Sequence, residues 1–89
     1  MHEFSLMADL MRKIESVARV PHARRVLGVK VKLGALSHMS PDHFREHFVH
    51  ASRGTIAENA HLDIETSNDF TDAHAQEIIL ESVEVDEYD

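Results

Sequence analysis

The stretch from Arg24 to Leu36 places the tightest limit on the fold. Leu27, Val29, Val31 and Leu33 alternate with Gly28, Lys30, Lys32 and Gly34. A period of two is the signature of a strand with one buried and one polar face. The odd-numbered positions are expected to carry the core. The rest of the chain has to supply the strand's neighbours and its cover.

Upstream, Leu6, Met7, Leu10, Met11, Ile14, Val17 and Ala18 follow the three-to-four spacing of an amphipathic helix. Ser5 is a suitable N-cap, which predicts a helix over about 6–19, and Pro21 is expected to end it. Met7 and Met11 lie one turn apart and read as flexible core filler rather than thioether ligands. Downstream, Ser40 precedes Pro41, a pairing that fits an N-cap and a first helical position. A second helix is predicted over about 41–52, burying Phe44, Phe48 and Ala51, with Gly54 as its left-handed C′ residue. Asn59 tolerates positive φ in the connector that follows.

His61 to Glu65 reads as a short strand with Leu62 and Ile64 inward, then 66–76 as a polar loop or hairpin turn. Glu77 to Val85 reads as a third strand. Its buried side is left open, because Ile78 and Ile79 are both apolar. Asp86 to Asp89 is expected to be frayed. The order α-β-α-β-β predicts an α+β fold, with two helices packed on one face of a three-stranded mixed β-sheet. The helix between the first two strands makes them parallel if adjacent, and the last two strands can form an antiparallel hairpin.

Eighty-nine residues imply one domain, 1–89. The chain has no cysteine, hence neither disulfide nor thiolate, which is compatible with a cytoplasmic protein. No signal peptide and no membrane span are expected. The net charge of −7 is unevenly distributed. All nine Lys and Arg fall at or before Arg53 with five acids, and eleven acids with no Lys or Arg follow. An acidic total argues against nucleic acid as a partner. Charge pairing within the sheet accounts for the asymmetry, with Lys30 and Lys32 set against Asp63, Glu65, Glu81 and Glu84 on other strands.

There is no glycine-rich phosphate loop, no nucleophile elbow and no matched pair of carboxylates, so the chain is not expected to be an enzyme. His43, His47 and His50 form a stripe on the second helix. The zincin pattern needs a glutamate directly after the first histidine, and Phe44 stands there. The stripe therefore reads as a hydrated flank, with a small metallohydrolase as the competing reading.

Met1-His2-Glu3 is where chemistry concentrates. A terminal amine, the amide nitrogens after it and the His2 imidazole can chelate one ion in a flat array. Ni(II) and Cu(II) accept such nitrogen ligation, whereas zinc prefers a tetrahedron. Amine and imidazole bind only when deprotonated. Their ordinary pKa values, roughly 7.7–8.0 and 6.5, make binding pH-dependent near neutrality.

Taken in order, several segments resemble the HypA/HybF family of hydrogenase and urease nickel-incorporation proteins. They are Met1-His2-Glu3 with Phe4, Ala23-Arg24-Arg25-Val26, the strand from Gly28 to Leu36, and Gly54 to Ala60. The likeness covers 1–65 well and 77–85 loosely. It implies a metallochaperone that binds Ni(II) through Met1, His2 and Glu3. Its implied partners are a nickel-handling GTPase and a hydrogenase or urease precursor. The family carries a zinc domain with two CxxC pairs between its second and third strands. Here only the short loop 66–76 occupies that place, so no structural zinc is expected. This leaves a second reading open, a protein-interaction module of the maturation machinery that has lost zinc-dependent metal handling. His74 lies in that loop and reads as an exposed histidine rather than an extra nickel ligand.

Overall fold

Five elements follow one another in the expected order: α1 (His2–Arg19), β1 (Ala23–Leu33), α2 (Pro41–Ser52), β2 (His61–Thr66) and β3 (Ile78–Glu87). The structure, a computed structural model, describes residues 2–19 and 22–87, with side chains for 6–19 and 22–86. The expected helix terminator, Pro21, lies outside the described residues.

The sheet order is β2-β1-β3. β1 pairs with β2 in parallel, from Gly28↔His61 to Leu33↔Thr66, and with β3 in antiparallel fashion, from Ala23↔Glu87 to Leu33↔Ile78. The mixed sheet is as expected, but β2 and β3 do not form a hairpin. They lie on opposite sides of β1, the strand with the longest apolar face, which takes a ladder along both edges. Both helices cover one face, closing a single core from Met7, Leu10, Met11 and Ile14 of α1, Val29, Val31 and Leu33 of β1, Phe44 and Phe48 of α2, and Leu62 of β2. Met7 and Met11 are thus core residues, as the sequence predicts.

α2 matches its signals closely. The Ser40 side chain accepts a hydrogen bond from the His43 backbone N–H at 3.2 Å, Pro41 occupies the first turn, and Gly54 beyond the C-cap has φ +75°. Asn59 has φ +66°, as its short polar side chain permits. Phe44 and Phe48 stack with ring centres 6.5 Å apart. Arg45 reaches across to donate to the Leu62 carbonyl, fastening α2 to β2.

α1 begins at His2 rather than near residue 6. Nothing in His2-Glu3-Phe4 opposes a helix, and an acid in the first turn suits the positive end of the helix dipole. Ser5 therefore lies inside the first turn and is not the cap. β1 ends at Leu33 instead of Leu36, because Ala35 to Ser37 turn over and the Ser37 N–H bonds back to Gly34 O at 3.0 Å.

The odd-position rule holds for Val29, Val31 and Leu33 but fails at Leu27, which is 37% exposed while Val26 is 2% exposed. Val26 pairs with Val85 and Gly28 with Glu84, so Leu27 is an extra residue on β1. This bulge reverses the alternation upstream of it. β3 carries its own irregularity between the Lys30↔Ser82 and Val31↔Leu80 pairs, with Glu81 the extra residue. Ile78 and Leu80 face the core before it, and Val83 and Val85 after it. β3 also continues through Glu87, where fraying from Asp86 is expected. Its pairing with β1 and the Arg25–Asp86 ion pair at 3.8 Å hold that end.

Across the sheet, Lys30 pairs with Glu65 at 3.9 Å. Of the pairings expected between Lys30 or Lys32 and the acids of neighbouring strands, this is the one that the structure shows among the described residues. Exposed pairs of this kind each contribute about 0–1 kcal/mol.

The loop between β2 and β3 is short but tightly fastened. Ser67 N–H bonds to Leu33 O, Leu36 N–H to Ala75 O at 2.7 Å, and Gly34 N–H to Glu77 O at 2.9 Å. A Cβ on Gly34 would lie 2.2 Å from Ala75 O. Gly34→Ala is expected to push residues 74–77 off the end of β1 at a cost of about 1–3 kcal/mol, the usual range for overpacking. Urea unfolding gives the stability, and amide exchange at Leu36 should accelerate in the variant. Unchanged exchange would show that the loop does not need this approach.

Candidate metal centre

Placing a metal at the front of the chain requires a rigid mount there, and α1 provides one. Met7, Leu10, Met11, Ile14 and Ala18 are all buried and hold the helix against β1 and β3. The backbones of His2 and Glu3 form its first turn. Met1 lies outside the described residues, as do the side chains of His2 and Glu3.

The first four N–H groups of any α-helix have no acceptor in their own helix. Exchanging an amide proton for a metal in this first turn therefore breaks no helical hydrogen bond. The positive end of the helix dipole also favours the anionic, deprotonated amide. Two amidates neutralise a divalent ion, so the ion does not meet the dipole as a bare charge.

Among the described residues no group of three or more His, Cys, Asp or Glu side chains is placed to hold a metal ion. His47 and His50 line a groove of about 460 Å³ between α2 and Met7, Ala8 and Met11 of α1. The His43 and His47 rings have centres 4.7 Å apart and are tilted by 32° to one another.

His74 lines a different groove, with Lys13, Ser16 and Val17. That is roughly 16 Å or more along the helix axis from His2, at 1.5 Å per residue, so His74 is not brought to the first turn of α1. It is the exposed histidine expected. Its Nδ1 lies 2.6 Å from Glu77 Oε2, and that hydrogen bond raises the imidazole pKa above its ordinary 6.5.

The sign of the resulting pH dependence is fixed. A raised pKa in the folded state means the pair contributes fully below pH 6.5 and is lost as pH climbs through the raised value. In an NMR titration the His74 midpoint should fall toward 6.5 in Glu77→Gln. An unchanged midpoint would show that Glu77 is not the cause.

Nearby, Asp69 accepts from the Thr71 hydroxyl at 2.7 Å and from its N–H at 3.0 Å, which lowers the Asp69 pKa. These contacts make the loop an ordered turn.

The family model described as hydrogenase/urease nickel incorporation, metallochaperone, hypA matches residues 1–84. The chain belongs to the HypA family. A protein named hydrogenase maturation factor HypA from Desulfitobacterium hafniense is 40% identical over 65 residues, 73% of this chain and 57% of that protein. Its namesake from Methylocella silvestris is 42% identical over 65 residues, 73% of this chain and 58% of that one. This HypA-family chain therefore spans a little over half the length of the curated relatives it matches. The solution structure of the Ni metallochaperone HypA from Helicobacter pylori superposes with a TM-score of 0.79. The match covers 97% of this chain and 98% of that one at 19% identity, a likeness of fold. Two helices on a three-stranded mixed sheet is thus an architecture this HypA-family chain shares with that structure.

Proposed function

We propose that this HypA-family chain is a nickel-binding accessory protein that serves the maturation of a nickel metalloenzyme such as [NiFe]-hydrogenase or urease. Its ligands are the Met1 amine, amide nitrogens of the first turn including that of Glu3, and the His2 imidazole. The match to the family model carries this reading, because it begins at residue 1 and takes in Met1-His2-Glu3. The placement of His2 and Glu3 on a firmly packed helix supports it.

The protein is a carrier rather than a catalyst, and the globular domain is the mount. Nickel is cargo, held by groups that release it when protonated. A nickel-handling GTPase and a hydrogenase or urease precursor are the partners this role requires, in a cytoplasmic setting. No described helix is long and apolar enough to cross a membrane. Residues 1–89 act as one nickel-binding domain, with no structural zinc, in keeping with the absence of cysteine. Calorimetric titration of untagged protein with nickel chloride tests the reading, one tight equivalent being expected. A partner interaction that persists without nickel and without any tight equivalent would instead favour the interaction-module reading, which the acidic stretch after Arg53 supports.

A further inference from the structure

The histidine stripe of α2 plays no part in the function above. His43 and His47 stand on successive turns of one helix, four residues apart, with ring centres 4.7 Å apart and planes inclined by 32°. A metal–imidazole bond is about 2.0–2.1 Å, and two imidazoles on one ion at 90–109° have ring centres roughly 4.5–5.2 Å apart. The observed separation falls inside that window, so the helix already holds the two rings as far apart as two imidazoles on one ion. His43 is exposed and gives access from solvent. His47 is half-buried on the wall of the groove shared with Met7, Ala8 and Met11, which limits its freedom. Both ligands stand on a helix that is capped at Ser40 and anchored by Phe44 and Phe48. Little ordering remains to be done on binding, which favours chelation.

We propose that His43 and His47 form a second metal site, taking a first-row divalent ion of the nickel-to-zinc group through two imidazole nitrogens, with water completing its coordination. Imidazole suits these ions, whereas magnesium and calcium require oxygen ligands. With two protein ligands the site is weaker than a four-nitrogen nest at the chain's start, and it fills after it. The site does not depend on that nest.

Nickel chloride titrated into untagged full-length protein should show a second, weaker equivalent. His2→Ala should retain it. His43→Gln and His47→Gln should each weaken it by about tenfold or more, because the second imidazole no longer binds intramolecularly. His43 is exposed, so His43→Gln leaves the core untouched, and circular dichroism checks the fold. In the His2→Ala background nickel or zinc chloride should raise the thermal midpoint and magnesium chloride should not. Absence of the weaker equivalent in the parent protein, its survival in His43→Gln, or an equal rise with magnesium would overturn the proposal. Absence of the tight equivalent from the parent protein, with the weaker one present in both the parent and His2→Ala, would count against the N-terminal site alone.

Discussion

His2→Ala in tag-free protein is expected to remove the tight nickel equivalent, lowering its affinity by more than about 100-fold. Loss of an outer-shell partner typically costs 10–100-fold, and removing a direct ligand should exceed that. Extending the N-terminus by two residues should have the same effect by a different route. It leaves every side chain in place but moves the amine out of reach. The two variants together separate a terminal chelate from a histidine site elsewhere. If tight binding survives both, the ligands are not Met1 and His2. Binding should also weaken as pH drops below about 8, where the amine takes up its proton, and more steeply below about 6.5, where the imidazole does too. Neither variant should alter folding, because the helix is fixed by residues from Met7 onward.

The largest effect on stability is expected from Phe44→Ala. Phe44 is fully buried, with 0% exposure, and it stacks on Phe48 in the layer between α2 and the sheet. Truncating such a ring leaves a cavity and costs about 3–5 kcal/mol. Domains are stable by only about 5–15 kcal/mol, so this single change removes much of the margin. Urea unfolding should show a large drop in midpoint. Phe70, by contrast, is 63% exposed in the loop, and Phe70→Ala should leave the midpoint almost unchanged. Equal effects at the two positions would contradict the core described above.

Local signals were the legible ones. Ser40, Pro41, Gly54 and Asn59 each act within a few residues, and each adopts the conformation its chemistry implies. The facing of β1 at Leu27, and that of β3 around Ile78 to Leu80, could not be read from alternation. Extra residues, Arg24 and Leu27 in β1 and Glu81 in β3, shift the phase part-way along, and only the pairing between the two strands reveals them. Strand order was illegible for a related reason. Pairing between β1 and β3 joins residues some fifty positions apart, and no local pattern encodes it. Ser5 misled because a good capping residue was preceded by three residues that a helix accepts equally well. The proposed nickel ligands rest on a short motif, Met1-His2-Glu3, in the company of other family segments, not on periodicity. The His43–His47 pairing was visible as spacing, but whether the rings approach each other needed coordinates.

Thr66 and Ile78 both stand level with Leu33, one on each side of it. Two strand spacings separate them, roughly 9–10 Å. Whatever polypeptide joins these points leaves and re-enters the sheet on a pair of legs astride the central strand. A brief link and an extra lobe place the same demand on the ladder, so exchanging one for the other need not disturb a single cross-strand partner.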